Sequence, residues 1–427
     1  ALQDLRTQIN ELSKILVIET KDKEEAISTL SETEKKPSRL NILDRNGYIL
    51  ATNLEGASVY IRPDEIYKKN FVAFQLKNIF PDLDEAVLLK KLNDGRKFFW
   101  LKNLVSPSQE KALYELGQPG IYFGKREYRF YPYGKLASHV IGYTKVNRFG
   151  VNFAEISGIS GAEKAFEKNL AVKTVSSEKN KNINLSLDLP VQAEVENVLS
   201  EWRKRMGAKA GGVIIMNIHN GEVMALASSP SFNPNYEREI PSTNRDLGIY
   251  FNRAVQGVYE MGSTFKIFSV AQGLESDIFN LNTLVSTEAF KINSRKIEDK
   301  YKFKRKSSIY EIIVKSSNVG SARLALMLGE QGLKDIFFRL GLLKPVDFEL
   351  SEAKFTHPIV PKDWRDITLA TTSYGYGISV SLLHLAKAYA ILGNGGYYIE
   401  PTILKKNEGV QSASRVLKKE TSDKILE

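Results

Sequence analysis

The chain of 427 residues contains no cysteine, so it can hold no disulfide, no thiol nucleophile and no cysteine-ligated metal. Histidine is nearly as scarce. Its four copies, His139, His219, His357 and His384, are widely spaced and form no H-x-x-x-H pair, which argues against a histidine-built metal centre. No run of eighteen apolar residues occurs, so nothing reads as a membrane-spanning helix, and no secretory leader is recognisable. The glycine patterns that cradle phosphates or dinucleotides are missing too, and nothing calls for a cofactor. Charge of one sign is not dominant: 60 Lys and Arg are scattered among 50 Asp and Glu, a net charge of +10. With no aromatic-basic module beside it, that balance reads as a solvated basic surface, and nucleic-acid binding is excluded.

What is present suffices for two or three domains, with 42% hydrophobic residues to build their cores. Residues 1–38 read as a helical stalk. In it Leu2, Leu5, Ile9, Leu12 and Leu16 make a heptad stripe of little more than two repeats. Such a stripe can pack on its own domain or serve as a seam for a partner helix. The chain begins with Ala1, as expected if it starts downstream of a removed segment. Residues 39–171 mix strands and helices with few catalytic candidates and read as a non-catalytic platform. They open on the hairpin Leu40–Asp44, Arg45-Asn46-Gly47, Tyr48–Leu50. Residues 172–184, rich in Lys, Ser and Asn, read as a linker.

From 185 to 427 the periodicity predicts a helix from Leu189 to Arg205, then a hairpin over 212–226 about the turn His219-Asn220-Gly221. Further helices are predicted at Glu311–Leu328, Gly332–Leu340 and Ser381–Leu392. The expected class is α+β, with helices packed on an antiparallel sheet.

Two short motifs carry chemistry. Ser263-Thr264-Phe265-Lys266 follows a glycine and opens an apolar run at helical spacing that ends near Glu275, and Ser316-Ser317-Asn318 lies fifty-three residues on. S-x-x-K recurs from Ser108, Ser176 and Ser351, and S-x-N from Ser231 and Ser242; the other S-x-x-K copies read as polar and loop-like. Residues three apart on a helix share a face, about 5–6 Å between β-carbons, so Lys266 can reach the Ser263 hydroxyl. The unpaired N–H groups of a first helical turn favour developing negative charge on the serine. Lysine is a base only when neutral, which takes a pKa lowered from about 10.4. The plain alternative is a serine helix cap followed by a solvated lysine.

With these motifs, and with Asp44-Arg45-Asn46-Gly47, Tyr131-Pro132-Tyr133-Gly134 with His139, Gly158–Glu163 and Tyr374–Val380, the chain resembles the class B penicillin-binding proteins. These are monofunctional D,D-transpeptidases that cross-link peptidoglycan. Asn252–Glu260 and the Met261-Gly262 pair make it most like the septal, cell-division type. The resemblance implies a penicillin-binding transpeptidase fold behind a mixed α/β pedestal. Ser263 would be the nucleophile that forms an acyl-enzyme and Lys266 the base. Ser316 would carry a proton to the leaving D-alanine, and Asn318 would hold the peptide amide. Tyr376, with Tyr374, would line the substrate groove unless both pack on the sheet.

Implied partners are D-Ala-D-Ala stem peptides, β-lactams, a membrane glycan polymerase and small coiled-coil division proteins. The implied location is the bacterial inner membrane, through a single N-terminal anchor not in this chain, with the catalytic domain periplasmic. The family's third motif, K-[ST]-G, occurs nowhere in the sequence. The chain therefore reads as stopping before that strand, and turnover by it is expected to be impaired. A non-catalytic scaffold of the cell-wall complex, and a β-lactam sensor or β-lactamase, remain alternatives to the transpeptidase.

Overall fold

The computed structural model describes residues 39–149, 154–171, 182–236, 248–406 and 414–427. The stripe from Leu2 to Leu16, Ser176, Ser242 and most of 172–184 lie outside the described residues.

The platform is built on one long strand. The Asn46-Gly47 turn is held by Asp44, whose carboxylate accepts from the N–H groups of Asn46 (2.7 Å) and Tyr48 (2.8 Å). It joins β1 (Ile42–Leu43) to β2 (Ile49–Ile61), and β2 then pairs antiparallel with β3 (Phe99–Val105) and β4 (Ile121–Phe130). Alternation along β2 sends Val59 and Ile61 into a core shared with Val72 and Leu76 of α1 (Lys69–Ile79) and Leu88 and Leu92 of α2 (Glu85–Asn93). Tyr60, on the opposite face, packs its ring on Trp100 and Tyr122, each with centroids 5.3 Å away.

At the other end of the sheet β1 pairs in parallel with β5 (Ile183–Asn184). The end of the segment expected to be a linker is thus a strand of the platform sheet, because its Ile183 supplies an apolar residue beside Ile42. Beneath it the buried Glu163 carboxylate accepts from Arg39 Nε (2.7 Å) and Arg129 Nε (2.6 Å).

The C-terminal half begins where the Leu189 N–H donates to Asp44 (3.2 Å), so the platform turn also caps the entry to α3 (Leu189–Arg205). Arg45 pairs with Glu222 (3.2 Å), and the Gly161 N–H donates to Glu352 (2.9 Å), which adds two more ties between the halves. Helix α3 packs on the antiparallel hairpin of β6 (Gly211–Met216) and β7 (Val223–Ser229). There the buried Gln192 amide pairs both ways with the Leu226 backbone, at 2.8 and 2.9 Å. Behind the hairpin lies a largely helical core. Phe265, Phe268 and Ala271, on and just before α4 (Lys266–Glu275), meet Leu324, Leu333 and Phe337 across the bundle. No helix among the described residues is long and apolar enough to cross a membrane.

Two local expectations are corrected and one is met. The helix expected over Glu311–Leu328 is two, α5 (Ile309–Val314) and α6 (Asn318–Arg339), broken at Ser316, whose φ of +60° no helix accommodates. The separate helix expected at Gly332–Leu340 is met: within the span of α6 the chain breaks at Gly329, whose φ of +68° and ψ of −177° are not helical, and a second helix follows. The Ser108 and Ser351 copies of S-x-x-K are helical rather than loop-like, over Pro107–Glu115 and Ser351–Lys354. What sets the Ser263 copy apart is its lysine. The Lys111 side chain is 77% exposed, Lys354 is exposed, and Lys266 is 3% exposed.

Candidate active site

Gly262, at φ +57°, turns the chain into a 3-10 turn, Gly262–Phe265, that leads without a break into α4. The left-handed conformation suits glycine and places Ser263, exposed, on the first turn. Phe265 and Phe268 anchor that turn by packing edge to face, centroids 5.0 Å apart, in the helical core. Lys266, one turn after Ser263, points inward and is tied to the second motif. Its Nζ donates to the Ser316 hydroxyl (2.7 Å) and to the Ser316 carbonyl (2.6 Å). Among the described residues it forms no ion pair. Burial brings its pKa down to about 8, against the opposing pull of the Asp299 carboxylate.

The S-x-N turn has the shape this contact needs. Ser316 is left-handed, and the N–H groups of Ser316 and Ser317 close α5 on Ile313 (3.1 Å) and Ile312 (2.9 Å). That single reversed residue turns its carbonyl and hydroxyl together onto Lys266. Asp299 then locks the start of α6. Its carboxylate accepts from the Ser317 hydroxyl (2.7 Å), from the Val319 N–H (3.1 Å) and from the Asn318 N–H. A carboxylate at a helix N-terminus is favoured by the free N–H groups there. Asn318 is half-buried on the first turn of α6 with its backbone fixed in this way.

A third segment straps the serine from outside. Gly375, at φ +79°, lies so close to Gly262 that a β-carbon on it would stand 2.2 Å from the Gly262 oxygen. The Gly377 N–H donates to Glu260 (2.7 Å), and Tyr259 and Val380 exchange backbone bonds of 2.9 and 3.0 Å. The two tyrosines of the strap part company. Tyr374 is half-buried against Ile292, Ile297, Val319 and Ala370, whereas Tyr376 is 55% exposed. From the far side, α7 (Leu382–Gly393) brings Tyr389, whose hydroxyl donates to the Thr264 carbonyl (2.8 Å).

Ser263, Lys266, Ser316 and Asn318 are therefore gathered at one place, with Tyr376 at its rim. Asp299 and Tyr389, which were not singled out from sequence, complete it with Glu260 and Gly375, which lie in the stretches Asn252–Glu260 and Tyr374–Val380 but were given no role of their own. Each acts across 100 residues or more, or through a bond no periodicity records. The only trace of Asp299 is that, with Glu298, it interrupts a run of lysines and arginines.

A serine on a helical turn, a buried lysine behind it and an S-x-N turn holding that lysine, set on a strand-rich platform, define a penicillin-binding fold with an active-site serine. The penicillin binding protein transpeptidase domain matches residues 211–427, and the penicillin-binding protein dimerisation domain matches residues 34–184. The probable peptidoglycan D,D-transpeptidase FtsI of Caulobacter vibrioides is 34% identical over 391 residues, covering 91% of this chain and 63% of that protein. The probable peptidoglycan D,D-transpeptidase PenA of Neisseria gonorrhoeae is 30% identical, covering 94% of this chain and 71% of its own length. The peptidoglycan D,D-transpeptidase FtsI of Escherichia coli K12 is 29% identical, over 90% and 67% respectively. Among solved structures, penicillin-binding protein PBP2 in complex with MreC, from Helicobacter pylori, superposes with a TM-score of 0.72 at 22% identity. That match covers 92% of this chain and 82% of the other, and bears on the fold alone. The chain belongs to the penicillin-binding protein transpeptidase family, in its class B, FtsI-like branch.

Proposed function

We propose that the chain is the acyl-transfer part of a peptidoglycan D,D-transpeptidase of cell division. The Ser263 oxygen attacks the carbonyl carbon of the penultimate D-alanine of a stem peptide as its proton passes to Lys266. Collapse breaks the peptide bond, and the departing D-alanine amine takes that proton back through the Ser316 hydroxyl. An ester on Ser263 is left. A neighbouring stem-peptide amine then attacks the ester carbonyl, gives up a proton by the same route, and frees Ser263 with the cross-link made. Asn318 holds the peptide amide and Tyr376 lines the groove. The first-turn N–H of Ser263 faces the developing oxyanion. An anchored, envelope-facing location and coiled-coil division partners accompany this reading, as does acylation by β-lactams.

The observation that carries it is the buried Lys266, hydrogen-bonded to the Ser316 hydroxyl with its pKa brought down to about 8. A solvated lysine behind a helix cap has neither property. The test is intact mass after incubation with benzylpenicillin, followed by peptide mapping, on this chain and its Ser263→Ala variant. A stable adduct on Ser263, absent from the variant, is expected. An adduct elsewhere, or none even on a chain continued past Glu427 to a K-[ST]-G motif, would contradict it.

A further inference from the structure

The positive charge is less evenly spread than the composition implied. Residues 291–306 hold eight of the 60 Lys and Arg and only two of the 50 Asp and Glu, so +6 of the net +10 resides in sixteen residues. All eight cations are exposed. Both acids are already engaged, Glu298 with Lys296 (2.5 Å) and Asp299 with the start of α6. Just outside, Glu288 pairs with Arg305 (3.2 Å). Lys291, Arg295, Lys300, Lys302, Lys304 and Lys306 are left with no ion pair among the described residues.

The fold concentrates this charge rather than diluting it. Strands β8 (Phe290–Ile292) and β9 (Arg295–Ile297) pair so that Lys291 stands directly opposite Lys296, a cross-strand arrangement that is unfavourable on its own. The stretch is also fixed against the active site at two points. Ile292 and Ile297 pack with Val319, Ala370 and Tyr374, between the S-x-N helix and the strap. Asp299 bonds to Ser317 and Val319, so the basic run begins at the lip of the S-x-N turn, one residue from that anchor. Burial raises the pKa of Tyr374, and Arg295 lies near enough to oppose part of that rise.

We propose that residues 291–306 are a docking surface for carboxylate-bearing peptides of the peptidoglycan strand, holding a stretch of substrate beside the one in the cleft. The inference rests on the transpeptidase reading for the identity of its ligand. An anionic membrane surface is the other polyanion such a lobe could meet. Ile292 and Ile297 face inward, which leaves Tyr301 as the one exposed ring of the stretch, too little apolar surface to anchor a membrane contact, and the site's lip lies within reach of one bound chain. Charge of this density acts at range, accelerating encounter and weakening with salt.

The test uses Lys300→Gln, Lys302→Gln and Lys304→Gln combined, all in the loop after Asp299 and away from the strands. Binding of soluble, uncross-linked glycan-peptide strands is read by fluorescence anisotropy, and benzylpenicillin acylation is read in parallel. The triple variant is expected to bind strands about tenfold more weakly at low salt, with the difference gone near 0.5 M salt and the acylation rate unchanged. Unchanged strand affinity would overturn the proposal. So would equal wild-type affinity for strands whose carboxylates have been amidated, or a loss confined to phosphatidylglycerol vesicles. Failure of the wild type to form a penicillin adduct would instead sink the transpeptidase reading, and strand binding would still decide the lobe on its own.

Discussion

Two regions of this molecule bury charge, and they do it in opposite ways. In the platform, the Glu163 carboxylate lies between the Arg39 and Arg129 guanidinium groups, all three nearly inaccessible. Burial opposes the Arg39 charge, but its bonds to Glu167 and the field of Glu163 more than offset that, and its pKa rises. In the site, Lys266 is as deeply buried but is held by a hydroxyl and a carbonyl instead of a carboxylate, and its pKa falls. Lys387 lies between the two: Glu400 pairs with it at 2.6 Å, yet burial still lowers its pKa. Full pairing fixes a charge and makes a joint; withholding the counter-ion loosens a proton and makes a base.

The widest separation of the two regions comes from removing one charge from each. Lys266→Met should slow penicillin acylation at least about a thousandfold while leaving the protein as stable or more so at pH 7. The wild type carries a penalty on the order of 3 kcal/mol for the depressed lysine pKa. That penalty is full below pH 8 and fades between pH 8 and 10.5, where the unfolded chain holds a proton that the folded one has lost. Denaturant melts across that range check the sign. Glu163→Ala should do the reverse, destabilising by about 3–5 kcal/mol because two buried guanidinium groups lose their partner. Its acylation rate, measured well below its Tm, should match the wild type.

A pH series sharpens the contrast from another side. His139 donates to the Ile249 carbonyl and His384 to the Lys344 carbonyl, and burial lowers each pKa to about 4. The unfolded chain binds these protons from pH 6.5 downward and the folded chain does not, so stability should fall between pH 6.5 and 4. The loss should reach about 2 kcal/mol per histidine by pH 5. Replacing either histidine with glutamine should flatten the acid limb and leave the acylation profile alone.

Gly375→Ala strikes the strap. With a β-carbon 2.2 Å from the Gly262 oxygen, the serine turn must shift, and acylation should fall roughly 10–100-fold for a modest change in Tm. Tyr389→Phe, which removes the bond to Thr264 and keeps the ring, should cost only a few-fold in acylation rate.

The elements legible in the sequence are those that local chemistry dictates. The Asn46-Gly47 and Asn220-Gly221 turns, the Leu189–Arg205 helix and the apolar periodicity after Ser263 need no distant partner to be recognised. The break at Ser316 could not be read. Helical periodicity runs unbroken from Glu311 to Leu328, and only the bonds of Ser316 to Lys266 and of Ser317 to Asp299 explain the reversal. Nor does spacing show that Gly375 lies on Gly262, since two backbones in contact leave no side-chain pattern. The S-x-x-K triplet itself was ambiguous. Ser108 and Ser351 begin helical copies of it with exposed lysines, so burial, a property of the fold, tells the site from its imitations.

The account turns on the proton of Lys266. Its most direct test is a carbon-13 NMR titration of the folded chain with lysines labelled at Cε, the Lys266 resonance being assigned by its absence from Lys266→Arg. A midpoint near pH 8 is expected, well below lysine's ordinary value, with acylation rising about tenfold per pH unit up to that midpoint and levelling above it. A Lys266 resonance that titrates at lysine's ordinary value, near 10.5, would contradict that chemistry.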